Sequence, residues 1–466
     1  QLRDRRFLDE AGNEGLHVQA VEAEATVFSL LRGRVARLAV VQPRVHARRS
    51  ADGRIYIAGV ALPQGPGKQP QPDDASSNAA LTWLLKQPVL AIRNGRMQWS
   101  DAQRQVVPLV ISQVQARLNN NGRHHDLQLA FTPPAGWGQP IKAAADWKHG
   151  LWREPAEWNK WSGSVQADIA EADVSRLRQY ADLGKHIAVR QGKGKLHVQA
   201  EYREGLRSSI TIRTELQAVD MTLGKDLPPL ALKGLQGTFK LRFTQSNVRN
   251  SYTLATEGLR FETHDGLRWP GGNLQVDIHD AESPTARGGQ IQGNDWDIGV
   301  IGQLAGRLPL GEAMLKALRR FQPQGQIQDL QVSWQGDINA PVAYAARGRA
   351  SQIGWLAQPV VAGKVQPQAA AHASAASHST ASTAPQAEKT SDNTSDIGIP
   401  GVQGAQIAFD FNQSGGSMDL SLNKGSAEFP GVFEKPRLEF DSLQTKVQWN
   451  VHGQQIRVTL PAIRFA

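Results

Sequence analysis

The sequence contains no cysteine among its 466 residues. That absence excludes disulfide frameworks and cysteine-based metal sites, and leaves the compartment open while being compatible with an oxidising one. Long apolar runs are missing too. The longest, around Val106 to Val114 and Ile298 to Gly306, stop well short of the run of about 18 residues that a membrane-spanning helix needs. There is no initiator methionine and no secretory leader, and the first residues, Q-L-R-D-R-R-F-L-D-E, read as the middle of something. The expectation is a fragment, so that a missing anchor says little about its parent.

Clustered charge is scarce. The formal net charge is +9 and the isoelectric point about 9.7, a balance that in clustered form would neutralise nucleic-acid phosphates. The densest sets are only Arg3 with Arg5 and Arg6, Arg44 with Arg48 and Arg49, and Arg319 with Arg320. Arginines spread among Gln, Asp and Glu read as a solvated face, so no nucleic-acid partner is expected; attraction to anionic lipid headgroups would use the same charges.

Catalytic and binding motifs are lacking as well. G-P-G-K-Q at 65–69 has Leu62 where a phosphate loop needs glycine, and Gln69 where it needs Ser or Thr. G-K-G-K-L-H at 192–197 lacks the third glycine of a dinucleotide fingerprint and leads into a strand, so it reads as a hairpin turn. His124 and His125 are adjacent, which on a strand sends them to opposite faces, and His372 and His378 lie in low-complexity sequence. Asp73 and Asp74 have no surrounding core, and Ser162 and Ser417 sit in no nucleophile elbow. No enzyme, metal site or cofactor is expected.

What is present is alternation. Val114, Ala116 and Leu118 oppose Gln115, Arg117 and Asn119, and the same period of two recurs through Ile141–Trp147, Val165–Ile169, Leu196–Ala200, Leu274–Ile278, Val447–Val451 and Ile456–Leu460. This is the signature of strands with one apolar face. Turn chemistry separates them, with N-N-N-G at 119–122, A-D-G-R at 51–54, H-D-G-L at 264–267, S-G-G-S at 414–417 and V-H-G-Q at 451–454, which predicts antiparallel hairpins. Helical patterns are short: 26–33, 78–87 with Asn78 as N-cap, 172–181, and 308–321 with a stripe of Leu310, Met314, Leu318 and Phe321. Trp83, Trp99, Trp147, Trp161, Trp269, Trp334 and Trp449 read as packing positions, or as interfacial residues with one wet edge.

The expected organisation is a β segment over 1–61, a Pro/Gly-rich flexible loop over 62–78, and repeated β segments over 79–364 with short helices at 79–87, 172–181 and 308–321. A disordered Ala/Ser/Thr-rich insertion would follow over 365–397, and a further β segment over 398–466. Such amphipathic sheets bury their apolar faces either in closed sandwiches or in a curled trough, and periodicity does not choose between these.

L-L-R-G-R-V-A-R-L-A-V-V-Q-P-R-V-H-A-R-R-S-A-D-G-R-I-Y-I-A-G (30–59) resembles the opening of AsmA-like proteins. The segments 83–101, 108–134, 161–177 and 308–334, in that order, resemble the YhdP branch of that family; the insertion has no counterpart, and the part from Ile399 fits more loosely. The resemblance implies a mostly β, elongated, twisted, largely antiparallel sheet of hairpins curled into a hydrophobic groove. It implies a periplasmic location, an inner-membrane anchor outside this chain, and non-enzymatic phospholipid transport toward the outer membrane. Partners would be phospholipid acyl chains, the inner membrane, and the outer membrane or a protein at the far end. Candidate groove-lining residues are Leu127, Leu129, Phe131, Ile210, Ile212, Phe239, Leu241, Phe243, Ile407, Phe409, Phe411, Leu420 and Leu422. The alternative is a structural β-repeat protein of the envelope with closed cores.

Overall fold

The structure is a computed structural model that describes residues 2–8, 14–31, 33–61, 74–104, 106–157, 160–180, 188–204, 206–245, 249–281, 287–338, 340–358, 398–453 and 455–466. The phosphate-loop-like stretch at 65–69, Asp73, His372, His378 and the insertion at 365–397 lie outside the described residues. Strands dominate, helices are few and short, and the chain divides into two compact units.

The first unit holds residues 1–296, 304–310 and 331–344. It opens with β1 (Leu2–Leu8), β2 (Glu14–Glu24), α1 (Val27–Leu31), β3 (Arg37–Val41), β4 (Arg44–Arg49), β5 (Ile55–Ile57), β6 (Val60–Ala61) and α2 (Asp74–Leu85). Next come β7 (Val89–Asp101), β8 (Leu109–Asn121), β9 (His124–Thr132), β10 (Ile141–Lys148), β11 (Ser162–Asp173), α3 (Val174–Leu177), β12 (Ala188–Arg203) and β13 (Leu206–Thr222). β14 (Leu230–Gln245), β15 (Arg249–Thr263), β16 (Arg268–Trp269), β17 (Asn273–Ala281) and β18 (Gly288–Asp297) complete the run. From β7 to β15 each strand pairs antiparallel with the next in sequence, and β17 joins β15 to β18. The exception lies near the start, where β3 and β4 run parallel to β7. Parallel pairing needs a long crossover, which α2 and its flanks supply.

The second unit holds residues 297–303, 311–330 and 345–466. Its elements include α5 (Glu312–Phe321) and the meander β21 (Gly401–Asn412), β22 (Gly415–Glu428), β23 (Arg437–His452), β24 (Gln455–Thr459) and β25 (Ile463–Phe465). α4 (Ile298–Leu304), β19 (Gln324–Asp337) and β20 (Ala340–Trp355) contribute to both units. The second unit has a packed core in which Ala405 and Leu422 are fully buried beside Ile353, Val402, Ile407 and Leu443.

Hairpin turns fall as expected around Gly53, Gly122 and Gly266, but not at 414–417, where Gln413 and Ser414 make the turn and Gly415 and Gly416 already belong to β22. Asn121 pairs with His124 across Gly122 and Arg123, and Gly122 takes a φ of 60° that a side chain would strain. Several expectations need correction. The segment 192–197 is no turn: Gly194 lies inside β12, where a β-carbon would sit 2.1 Å from the Glu215 carbonyl, so glycine there permits close strand approach. α2 starts at Asp74, inside the expected loop, and places Asn78 within the helix; it ends before Pro88. The expected helix at 172–181 shrinks to Val174–Leu177, and that at 308–321 begins at Glu312. Met314 is exposed while Leu315 and Leu318 are half-buried, which turns the apolar stripe by one residue. α4 was not anticipated; Asp297 Oδ1 accepts the Val300 N–H at 3.0 Å and starts it.

The ladders are interrupted by bulges that line up across neighbouring strands. The register of β7 with β8 shifts between Ile92 and Met97, where Asn94 and Gln113 have φ near 50°. β20 with β21, and β21 with β22, shift beside Gln352, Gly404 and Lys424, also at positive φ. Aligned bulges bend adjacent strands at the same place.

Candidate functional site

Directly paired residues of an antiparallel ladder point to the same face. In the first unit one such row is Leu90, Leu118, Leu127, Ala145, Val165, Ala200, Ile210, Leu241, Leu254, Val276 and Ile291, each partnered with the next across β7 to β18. The adjoining row runs Ile92, Ala116, Leu129, Ala143, Ala167, Val198, Ile212 and Phe239 before reaching Thr256 and Leu274. Neither row contains a charge. Phe131 and Phe243 follow by alternation on their own strands, so eight of the candidate residues share one face of a single unit.

In the second unit Ile407 pairs with Leu420, Phe409 with Met418, and Ala405 with Leu422, while the ring of Phe411 lies 6.0 Å from that of Trp449. The five candidates there also share a face. Burial separates the set. Leu422 is 0% exposed and Ile407 9%, both inside the packed core; the other candidates are half-buried. In the first unit the same face is open at Tyr252, Leu254 and Ile278, which are 42%, 41% and 46% exposed, and in the second at Val458 and Ile463, which are 55% and 53% exposed.

The opposite face is polar and laced with cross-strand pairs. Asp168 meets His197 at 2.6 Å, Lys240 meets Glu257 at 2.5 Å, and Lys446 meets Asp419 at 3.6 Å. This face is hollowed: a depression of about 720 Å³ is bounded by Lys240, Glu257 and Asp277 in the first unit. Another of about 510 Å³ is bounded by Arg349, Asp419 and Lys446 in the second.

The histidine pair separates as adjacency predicts. His124 is exposed, whereas His125 is fully buried and stacks on Trp161 with ring centroids 4.1 Å apart. Its Nδ1 bonds Asn120 Oδ1 at 2.6 Å, Asn120 donates to the Gln87 carbonyl at 2.7 Å, and buried Gln87 donates to the Trp83 carbonyl and accepts from the Val35 N–H. Burial, then the nearby His149 and His124, hold the His125 imidazole down at about 4. Ser162 accepts the Glu204 N–H at 2.9 Å. Among the described residues no group of three or more His, Cys, Asp or Glu could hold a metal ion.

Sequence reasoning missed the loop after β10. There His149 is 7% exposed and Trp152 95% exposed, with Lys148, Arg153 and Lys160 around them. The tetrapeptide Gly150-Leu-Trp-Arg was the available signal, two apolar residues at a turn flanked by cations.

Chain-neighbour hairpins carrying one apolar and one charged face define a repeat-built β protein with amphipathic sheets. The chain belongs to the YhdP family: all of residues 1–466 match the family described as YhdP protein. No curated protein and no solved structure matches it significantly.

Proposed function

We propose that this chain is part of a non-enzymatic conduit for phospholipids between the inner and outer membranes of a diderm bacterium. Acyl chains slide along the apolar rows while headgroups stay at the wet edge of the sheet, in a protein tied to the inner membrane and spanning the periplasm. The observation that carries this reading is the uncharged row from Leu90 to Ile291, half-open at Leu254. An apolar face that size is covered in water by something apolar. Membership of the YhdP family, not known as a family of enzymes, supports an envelope role. Among the described residues no helix is long and apolar enough to cross a membrane.

The test is photo-crosslinking in cells from Leu241 and, on the other face, Lys240. Phospholipid adducts at Leu241 and none at Lys240 are expected; adducts at neither position, with a lipid-free purified chain, overturn the conduit.

The second reading, a structural β-repeat with closed cores, draws on the second unit, where Leu422 is sealed. On that reading Leu241→Ala destabilises like Leu422→Ala, about 2–5 kcal/mol. On the conduit reading half-open Leu241 costs clearly less by denaturant titration.

A further inference from the structure

At one end of β9, β10 and β11 the turns enclose a cavity of about 440 Å³ lined by Arg123, His124, Lys148, His149, Gly150, Arg153, Lys160, Ser162 and Glu204. Four cations and one carboxylate face it. Arg153 is paired with Glu157 at 3.3 Å, but among the described residues Arg123, Lys148 and Lys160 have no carboxylate partner. Cations outnumber carboxylates here and three of them are unpaired, which is the arrangement that recruits an anion. A buried histidine holds the wall of the cavity. His149 is 93% buried by its 7% exposure; Nδ1 meets the Gly150 carbonyl at 3.0 Å, and Nε2 has no hydrogen-bond partner. A carbonyl only accepts, so Nδ1 donates, and this bond ties the buried ring to the turn; the anion's partners are the cations.

The surroundings indicate what the anion is attached to. Arg153 N–H donates to the Gly150 carbonyl at 3.3 Å, closing a turn whose ends line the cavity and whose tip is Leu151 and Trp152. These are 72% and 95% exposed. An indole and a leucine held in water beside cations match an interfacial anchor, with the ring at headgroup depth and the cations on phosphates.

We infer that this cavity binds the phosphate of an anionic phospholipid at a bilayer surface, with Leu151 and Trp152 entering the interface. This does not rest on transport: a chain whose apolar rows carry no lipid can still dock by this loop.

The full chain is tested by co-sedimentation with phosphatidylcholine vesicles, with and without about one third phosphatidylglycerol, and by titration with glycerol phosphate as the soluble source of the same group. Arg123→Gln, Lys148→Gln and Lys160→Gln should each weaken binding to the anionic vesicles about fivefold. The exposed pair Lys435→Gln and Arg457→Gln should change it little. Trp152→Ser should weaken vesicle binding and leave glycerol phosphate binding as it was. Equal losses from the cavity and control variants overturn the site. Glycerol phosphate binding that needs the cations, with vesicle binding indifferent to them and to Trp152→Ser, overturns the bilayer source. If Arg123→Gln or Lys148→Gln fails to fold, Lys160→Gln, at an exposed position, decides.

Discussion

His125 is a titratable side chain kept neutral by its surroundings, and stability therefore depends on pH. Its folded value of about 4 lies below the ordinary 6.5, so between those values the unfolded chain binds the extra proton. Stability is then full above about pH 6.5 and falls as pH drops toward 4, by at most about 3 kcal/mol. Urea midpoints at pH 7.5, 5.5 and 4.5 should decline in that order, and His125→Phe, which keeps a ring against Trp161, should flatten the slope across this window. The sequence showed that adjacent histidines diverge. It did not show which one goes inside, because that depends on Asn120 arriving from β8 and Trp161 from the residue just before β11.

At the level of single elements, glycine sets where rings can lie. Gly293 belongs to the row after Leu274, and a β-carbon there would stand 2.2 Å from Cζ2 of Trp296. The indole lies on bare backbone and fills the place of the missing side chain. Gly293→Val should displace it at about 1–3 kcal/mol, read as a lowered denaturation midpoint. Gly302, in α4 with nothing within 4 Å of a β-carbon, should tolerate alanine or gain up to about 1 kcal/mol.

Strands and turns were legible at this scale because period two and Asn-Gly are local signals. The same dipeptide has two uses: Asn121-Gly122 turns a hairpin, while Asn94-Gly95 sits in a bulge inside β7, packed near Pro43. Helix lengths were misjudged where strands claimed the flanking residues, as β11 does up to Asp173.

Across each unit, the candidate residues were named from single-strand alternation, and it is the register that gathers them. Leu127, Ile210 and Leu241 are far apart in sequence and lie in one row because every intervening hairpin keeps its partners opposite. No local pattern reveals that Leu422 is sealed while Phe409 stays half-open, since burial depends on which neighbouring elements pack against the sheet.

The row from Leu90 to Ile291 takes ten steps from strand to strand, about 48 Å at the usual spacing of about 4.8 Å. Half of a hydrocarbon core of about 30 Å, one leaflet, is roughly a third of that. A conduit of this length has space for about three tails end to end. It would then work as a queue: a lipid entering at one end advances those already seated, and flux depends on keeping the file occupied. Native mass spectrometry of the gently extracted chain should show species carrying more than one phospholipid; an upper limit of one would mean a carrier that loads and empties.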